Sequence, residues 1–314
     1  MSMRLKGFGP GTRVLVVGLG LMGGSYARAL SRLGCTVTAV TKKRSDLEFA
    51  VKEGFLAGGV TEPTAATFRE ADLIILALYP HTLLDFAARY ARDFAPGTLV
   101  TDLTGVKGFV VDKVQALMPP GVEFIAAHPM AGREKSGVRN SDDAIFHGAN
   151  YLVVPTEKNT REAVRLCEEL GRALGFARFR TLSVAEHDRM VAFLSQLTHC
   201  IAVALMCACE EPGLEAYTGD SFRDLTRIAR INDEMWSELF LCNREALLLE
   251  MDRFEAAFDA LRQTLLTGDR EKMREMMRLS TARRAKFEKP KAEKPDLTGK
   301  KSDPCADKTE KGPN

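Results

Sequence analysis

The sequence predicts an α/β protein: a doubly wound, mostly parallel sheet followed by an all-α domain. Two observations carry this. Short β-branched runs alternate with helical patterns from residue 13 to about residue 181, the pattern of strands joined by right-handed helical crossovers. Beyond residue 182 only helical periodicity remains.

The first strand and helix meet in residues 13–24, RVLVVGLGLMGG. An apolar run stops at a glycine turn, and Leu19 and Leu21 open a helical pattern. Gly18, Gly20 and Gly23 have the G-x-G-x-x-G spacing of a Rossmann-type dinucleotide site. The first glycine permits the tight turn, the second lets a pyrophosphate approach the backbone, and the third allows close packing of helix on strand. The helix N-terminus adds N–H donors and a positive dipole. The candidate cofactor cradle is therefore Gly18, Leu19, Gly20, Leu21, Met22 and Gly23, with Leu78 from a later strand end. The spacing is also compatible with a tight turn that holds no ligand.

The helix runs over 21–33 and ends at Gly34. Residues 36–41 (TVTAVT) form the second strand. An NAD enzyme usually has an acidic residue here, about 20 residues past the glycines, to accept from the ribose 2′-OH. This chain has Thr41, Lys42, Lys43 and Arg44 instead, a hydroxyl and three cations suited to a 2′-phosphate. NADP is the favoured cofactor; a solvated basic loop, with Asp46 as a ribose ligand for NAD, is the alternative.

Residues 72–78 (DLIILAL) are apolar enough for the middle of a parallel sheet. Pro80 marks a turn before a helix over 83–94. Strands follow at 98–103, 123–128, 151–155 and 176–181, with helices over 107–117 and 160–174. In such sheets ligands bind beyond the strand carboxyl ends, so the loops after Gly18, Thr41, Leu78, Leu103 and His128 are expected to converge.

Three domains are expected: a dinucleotide-binding domain (1–182), a helical substrate and dimerisation domain (183–287), and a charged, disordered tail (288–314). Ser183 and Glu186 have capping-box spacing at the start of the helical part. Residues 187–209 carry apolar side chains on most faces, so that helix is expected to be buried nearly all round. So few helical residues could barely cover it alone, which points to a homodimer.

A net charge of +2 gives no reason to expect nucleic acid or an anionic membrane as partner. No apolar run is expected to reach the roughly 18–20 residues of a membrane span, and no signal-peptide pattern opens the chain. The seven cysteines are scattered; Cys207 and Cys209 form only a C-x-C. They read as reduced thiols, mostly buried, with no metal site expected, and the cytoplasm is the default compartment.

Three segments concentrate chemistry: HPMAGREKSG at 128–137, His199 among apolar neighbours, and YTGDSFRDLTRIAR at 217–230. Each has a plainer explanation as a strand end, a core histidine or a surface ion pair. On spacing alone the chain is a nucleotide-linked oxidoreductase with a small anionic substrate; a non-catalytic dinucleotide sensor is the alternative.

Taken in order, the glycine turn, 128–137, the Glu186-His187-Asp188 helix start, LSQLTH at 194–199, and FRDLTRIA at 222–229 with Trp236 resemble the prephenate/arogenate dehydrogenase family of tyrosine biosynthesis. The resemblance implies oxidative decarboxylation of a cyclohexadienol, with hydride passing to a nicotinamide. It implies that His199 accepts the proton of the 4-hydroxyl and that His128 orients nicotinamide and hydroxyl. It implies that Arg227 clamps a substrate carboxylate, with Asp224 orienting its guanidinium and Glu134 at the site entrance. Two positions depart from the family pattern. Residues 101–107 read TDLTGVK, with Gly105 where the family commonly has a serine, leaving Thr104 as the candidate hydroxyl. Asp220 resembles the acidic residue of arogenate-preferring enzymes: a carboxylate pairs with arogenate's ammonium and repels prephenate's anionic pyruvyl group. The reading leans to arogenate, with a prephenate or dual-specificity enzyme as runner-up.

Overall fold

The computed structural model describes residues 3–287. The expected disordered tail at 288–314 lies outside the described residues. Eight strands form one sheet: β1 (Arg13–Val17), β2 (Thr36–Val40), β3 (Gly58–Val60), β4 (Leu73–Leu76), β5 (Leu99–Asp102), β6 (Glu123–Met130), β7 (Asn150–Val154) and β8 (Arg178–Thr181). Their order is β3-β2-β1-β4-β5-β6-β7-β8, and every pairing is parallel except β6 with β7. The chain winds outward from β1 in one direction through β2 and β3, then returns to the other side at β4. That reversal is the switch point at which such sheets open a crevice.

The helices between the strands are α1 (Leu21–Arg32), α2 (Arg44–Lys52), α3 (Ala65–Arg69), α4 (Pro80–Tyr90), α5 (Val111–Leu117) and α6 (Arg161–Ala173). All four residues of β4, LIIL, are buried, as a strand covered by helices on both faces requires. Helix α4 begins at Pro80 itself, because proline at the first helical position lacks only an N–H that would be unpaired there anyway. Helix α5 starts at Val111, later than the pattern suggested; the N–H groups of Lys107 and Gly108, in the turn before it, donate to the Asp188 carboxylate. The sequence reading passed over β3, α2 and α3, whose short or charged stretches carry weak periodicity.

After β8 come α7 (Val184–Val191), α8 (Leu197–Cys207), α9 (Asp220–Thr226), α10 (Asp233–Cys242), α11 (Arg244–Thr267) and α12 (Arg270–Arg284). Ser183 and Glu186 form the capping box that starts α7, each side chain bonded to the other's backbone N–H. A π-helical turn, Ala192–Gln196, joins α7 to α8 in one continuous rod. Two expectations about this rod are corrected. It was to be buried nearly all round, yet within one chain Phe193, Leu194 and Met206 are 51%, 48% and 47% exposed. No run was expected to reach membrane-spanning length, but Val184–Cys207 is long and apolar enough by composition, because the charges of its first turn fall outside the most apolar window. The cysteines differ too: Cys35 and Cys167 are buried, whereas Cys200 and Cys242 are half-buried and Cys207 and Cys209 exposed.

Two compact units meet between Phe254 and Glu255. The first holds the sheet and everything described below. The described part of the second is helical and presents Leu265, Leu266, Met277 and Leu279 to its surface.

Candidate active site

The glycine turn sits at the switch point. Gly18 has φ +95°, and a Cβ there would come within 2.2 Å of the Ala77 carbonyl oxygen at the end of β4. A Cβ on Gly23 would lie 2.0 Å from the Gly18 carbonyl oxygen, so strand and helix meet backbone to backbone. Gly20 is different: its missing Cβ faces open space. Helix α1 starts there with no side-chain cap and no acidic residue in its first turn. Its first N–H groups are thus left for an external anion, and the residues present fit a dinucleotide's phosphates.

Beside this turn lies a cavity of about 1010 Å³. Gly20, Leu21, Met22, Gly23 and Leu78 line one side, and Thr104, Gly105, His128, Glu134, His199, Arg227 and Trp236 are among the residues of the others. The structure therefore gathers most of the expected residues from segments far apart in the chain. Leu19 is buried in the core instead. Thr41, Lys42, Lys43 and Arg44 do not line the cavity. They follow β2, next to the glycine turn, where Gly18 N–H donates to the Val40 carbonyl (2.8 Å). Lys42 and Lys43 are exposed, and Arg44 pairs with Glu48.

Histidine 199 is oriented from both sides. Its Nδ1 lies 2.8 Å from the Ser195 carbonyl oxygen, and because a carbonyl only accepts, the ring proton is on Nδ1. Nε2 is left as a proton acceptor. Trp236 stacks on the ring at 3.7 Å between centroids. Burial lowers the His199 pKa; the Ser195 bond and Glu134 oppose that, and Arg227 adds to it. Ser195 belongs to the π-helical turn, an irregularity frequent at functional sites and invisible to helical periodicity.

Histidine 128 ends a chain of buried groups that sequence reasoning did not assemble. Its Nδ1 lies 2.9 Å from His187 Nε2, and His187 Nδ1 lies 2.7 Å from Asp188 Oδ1. The Asp188 carboxylate also accepts from Lys107 N–H (2.8 Å) and Gly108 N–H (2.7 Å). Burial works to raise the Asp188 pKa, but the His187 ring and these N–H groups hold it below the usual carboxylate value. An ionised Asp188 places the His187 proton on Nδ1, so His187 Nε2 accepts from His128 Nδ1–H. His128 then also keeps a free Nε2. Its pKa is pushed well down, by burial first and by His187 and Lys107 next.

Thr104 lies in the cavity wall, but its hydroxyl serves a different group. It bonds to the Asp102 carboxylate and lies 2.9 Å from the Val106 carbonyl oxygen. Asp102 in turn pairs with the fully buried Lys107 ammonium at 2.6 Å, which also donates to the Ala127 carbonyl. At Gly105 an added Cβ would meet Leu239 at 3.6 Å and His128 Cε1 at 3.9 Å, so the open position beside His128 is at residue 105.

Arg227 is ion-paired with Glu134. Asp224 neither pairs with Arg227 nor lines the cavity; Glu134 occupies that role in the structure. Asp220 also lies outside the lining, at the first position of α9, 91% exposed and bonded to Arg223 at 2.7 Å.

Two family models match the chain: "prephenate dehydrogenase, nucleotide-binding domain" over residues 26–177 and "prephenate dehydrogenase, dimerization domain" over 183–279. The chain belongs to the prephenate dehydrogenase family. It is 31% identical to a prephenate dehydrogenase of Lactococcus lactis subsp. cremoris, over 79% of this chain and 70% of that one. A structure of the Aquifex aeolicus prephenate dehydrogenase with hydroxyphenyl propionate and NAD+ superposes with a TM-score of 0.81 at 27% identity, covering 88% of this chain and 98% of that one. A Synechocystis arogenate dehydrogenase superposes with 0.76 at 25% identity, over 88% of this chain and 100% of that one. As a family member this chain is a dehydrogenase that uses a pyridine nucleotide.

Proposed function

We propose that this chain oxidatively decarboxylates L-arogenate to L-tyrosine with NADP as hydride acceptor. The observation that carries the reaction type is the meeting of His128, His199 and Arg227 in one cavity under the glycine turn. The nucleotide, when bound, supplies the hydride acceptor. His199 Nε2 takes the proton of the substrate's 4-hydroxyl as the ring carbon loses hydride and a carbonyl develops. It returns that proton to the phenolate oxygen as the ring carboxylate leaves as CO₂, so no net proton is consumed. His128, fixed by His187 and Asp188, orients the reacting hydroxyl and the nicotinamide. Arg227 exchanges Glu134 for a substrate carboxylate, with two parallel N–H donors available to it.

Arogenate is supported by Asp220, seven positions before Arg227, and by the likeness to the Synechocystis arogenate dehydrogenase. NADP is supported by the exposed Lys42 and Lys43, with Arg44, at the end of β2. A prephenate-preferring or dual-specificity enzyme is the second reading, favoured by the position of Asp220 outside the cavity lining and by the Lactococcus relative. The domains are 1–182 and 183–287. Together they form a cytoplasmic homodimer in which the exposed apolar side chains of the 184–207 rod are covered by a second copy.

Purified protein incubated with each substrate and each nucleotide, with reduced nucleotide followed by absorbance, tests this directly. Asp220→Asn is expected to lower the arogenate/prephenate ratio of kcat/KM; an unchanged ratio argues against Asp220 as the ammonium partner. A preference for NAD, or equal efficiency with both nucleotides, removes the NADP assignment.

A further inference from the structure

Away from the reacting groups, the first turn of α4 meets α10 at His81, Glu238 and Cys242. Glu238 and Cys242 are four residues apart on α10 and so share one face. His81 is the second residue of α4. Its Nδ1 lies 2.7 Å from Glu238 Oε1, and its backbone N–H donates to the same oxygen at 2.7 Å. One imidazole nitrogen, one carboxylate oxygen and the Cys242 sulfur all lie within 4.8 Å of one another. His81 is exposed, while the other two are half-buried.

Capping of α4 explains part of this cluster. A carboxylate that receives the His81 N–H satisfies one of the unpaired donors of the helix's first turn. The cap uses Oε1 alone and gives no role to Cys242. The dehydrogenase chemistry involves none of the three residues.

We propose that His81 Nδ1, Glu238 and Cys242 Sγ form a binding site for a divalent transition metal of the zinc class. A mixed nitrogen, sulfur and oxygen donor set suits zinc and its neighbours, and is unsuited to magnesium or calcium, which take oxygen ligands. Three protein ligands leave a fourth position for water. On binding, the Cys242 thiol gives its proton to solvent and the thiolate takes the metal; the His81 Nδ1 proton, which the Glu238 carboxylate accepts in the metal-free protein, is lost to solvent, and the neutral ring carries its proton on Nε2. In the metal-free protein burial, and after it the Glu238 charge, push the Cys242 thiol up to about 11 against a smaller opposing effect of Lys113, so the charge that draws the proton off is the metal's own. The bound metal ties Pro80, on one wall of the cavity, to Trp236 and Leu239 on the other through their helices. The metal thus stiffens the cleft without touching the reacting atoms.

Cobalt(II) titrated into the metal-free full-length protein is the test. One equivalent is expected to give a thiolate-to-cobalt charge-transfer band that added zinc abolishes. Cys242→Ser removes the band, and His81→Gln weakens binding on the order of tenfold or more. Both variants keep the melting temperature and turnover of the metal-free parent. Absence of the band overturns the proposal. A band that survives Cys242→Ser and disappears when Cys207 and Cys209 are replaced assigns the metal to those exposed thiols and overturns it as well.

Discussion

His128 Nδ1 lies 2.9 Å from His187 Nε2, although the two residues are 59 positions apart in the chain. The contact joins a residue in β6 to one in the first turns of α7, so the nucleotide-binding and helical parts share one proton-ordered chain that ends at Asp188. Replacing His187 with leucine removes the acceptor for His128 Nδ1–H and frees that ring to rotate. Turnover is expected to fall on the order of 10²-fold through misorientation, with nucleotide affinity less affected. Steady-state kinetics beside nucleotide titration by intrinsic fluorescence checks this; equal loss in both assigns His187 to binding.

With His199 as the proposed proton acceptor, the acid limb of the kcat/KM profile is expected to follow it, because the ring must be neutral to accept a proton. Burial places its pKa below the ordinary histidine value of about 6.5, so activity persists to lower pH than an exposed histidine permits. The two charges facing it give the sign of further shifts. Glu134→Gln removes a group that raises the pKa and moves the limb to lower pH, whereas Arg227→Gln moves it to higher pH. Limbs that coincide in all three proteins would mean that another group sets the profile.

Folding stability carries the same signature. The folded pKa values of His128 and His187 are both lowered, so below about pH 6.5 the unfolded chain binds protons that the folded chain does not. Stability present above that pH is therefore lost as pH falls toward the folded values. Melting temperature is expected to drop across this window, and less steeply in His187→Leu.

Lys107 and Asp102 form an ion pair with no exposed surface on either side chain. Burial lowers the Lys107 pKa and the Asp102 charge restores part of it. Lys107→Met leaves a buried carboxylate without its cation, and a loss of about 3–5 kcal/mol is expected. Urea denaturation measures it. Asp102→Asn in the same chain should recover part of the loss, because the unpaired charge is then gone.

Arg227 and Glu134 give a test of substrate binding. Arg227→Ala is expected to raise KM about ten- to a hundredfold, the equivalent of roughly 1.5–3 kcal/mol of charge-assisted hydrogen bonding. Glu134→Gln frees the guanidinium and should leave KM unchanged or lower it. A matching rise in KM for both variants would show that Glu134 itself contacts the substrate.

Much of the fold was legible in residues 13–24 and in the alternation that follows, because glycine spacing and β-branched runs report local backbone requirements. The sequence also pointed to His128, His199 and Arg227, through motifs whose residue types are few and ordered. It did not show that His187, Asp188, Lys107 and Asp102 form one buried network around His128, since hydrogen bonds across 59 to 81 positions leave no periodic trace. Nor did it reveal that the hydroxyl of Thr104 is turned to Asp102 while Gly105 leaves the space beside His128. Local chemistry determined the glycine turn and singled out the two histidines, His128 and His199. Only the tertiary structure decided which nitrogen of each ring stays free, because the partner that accepts the other proton comes from the fold around it.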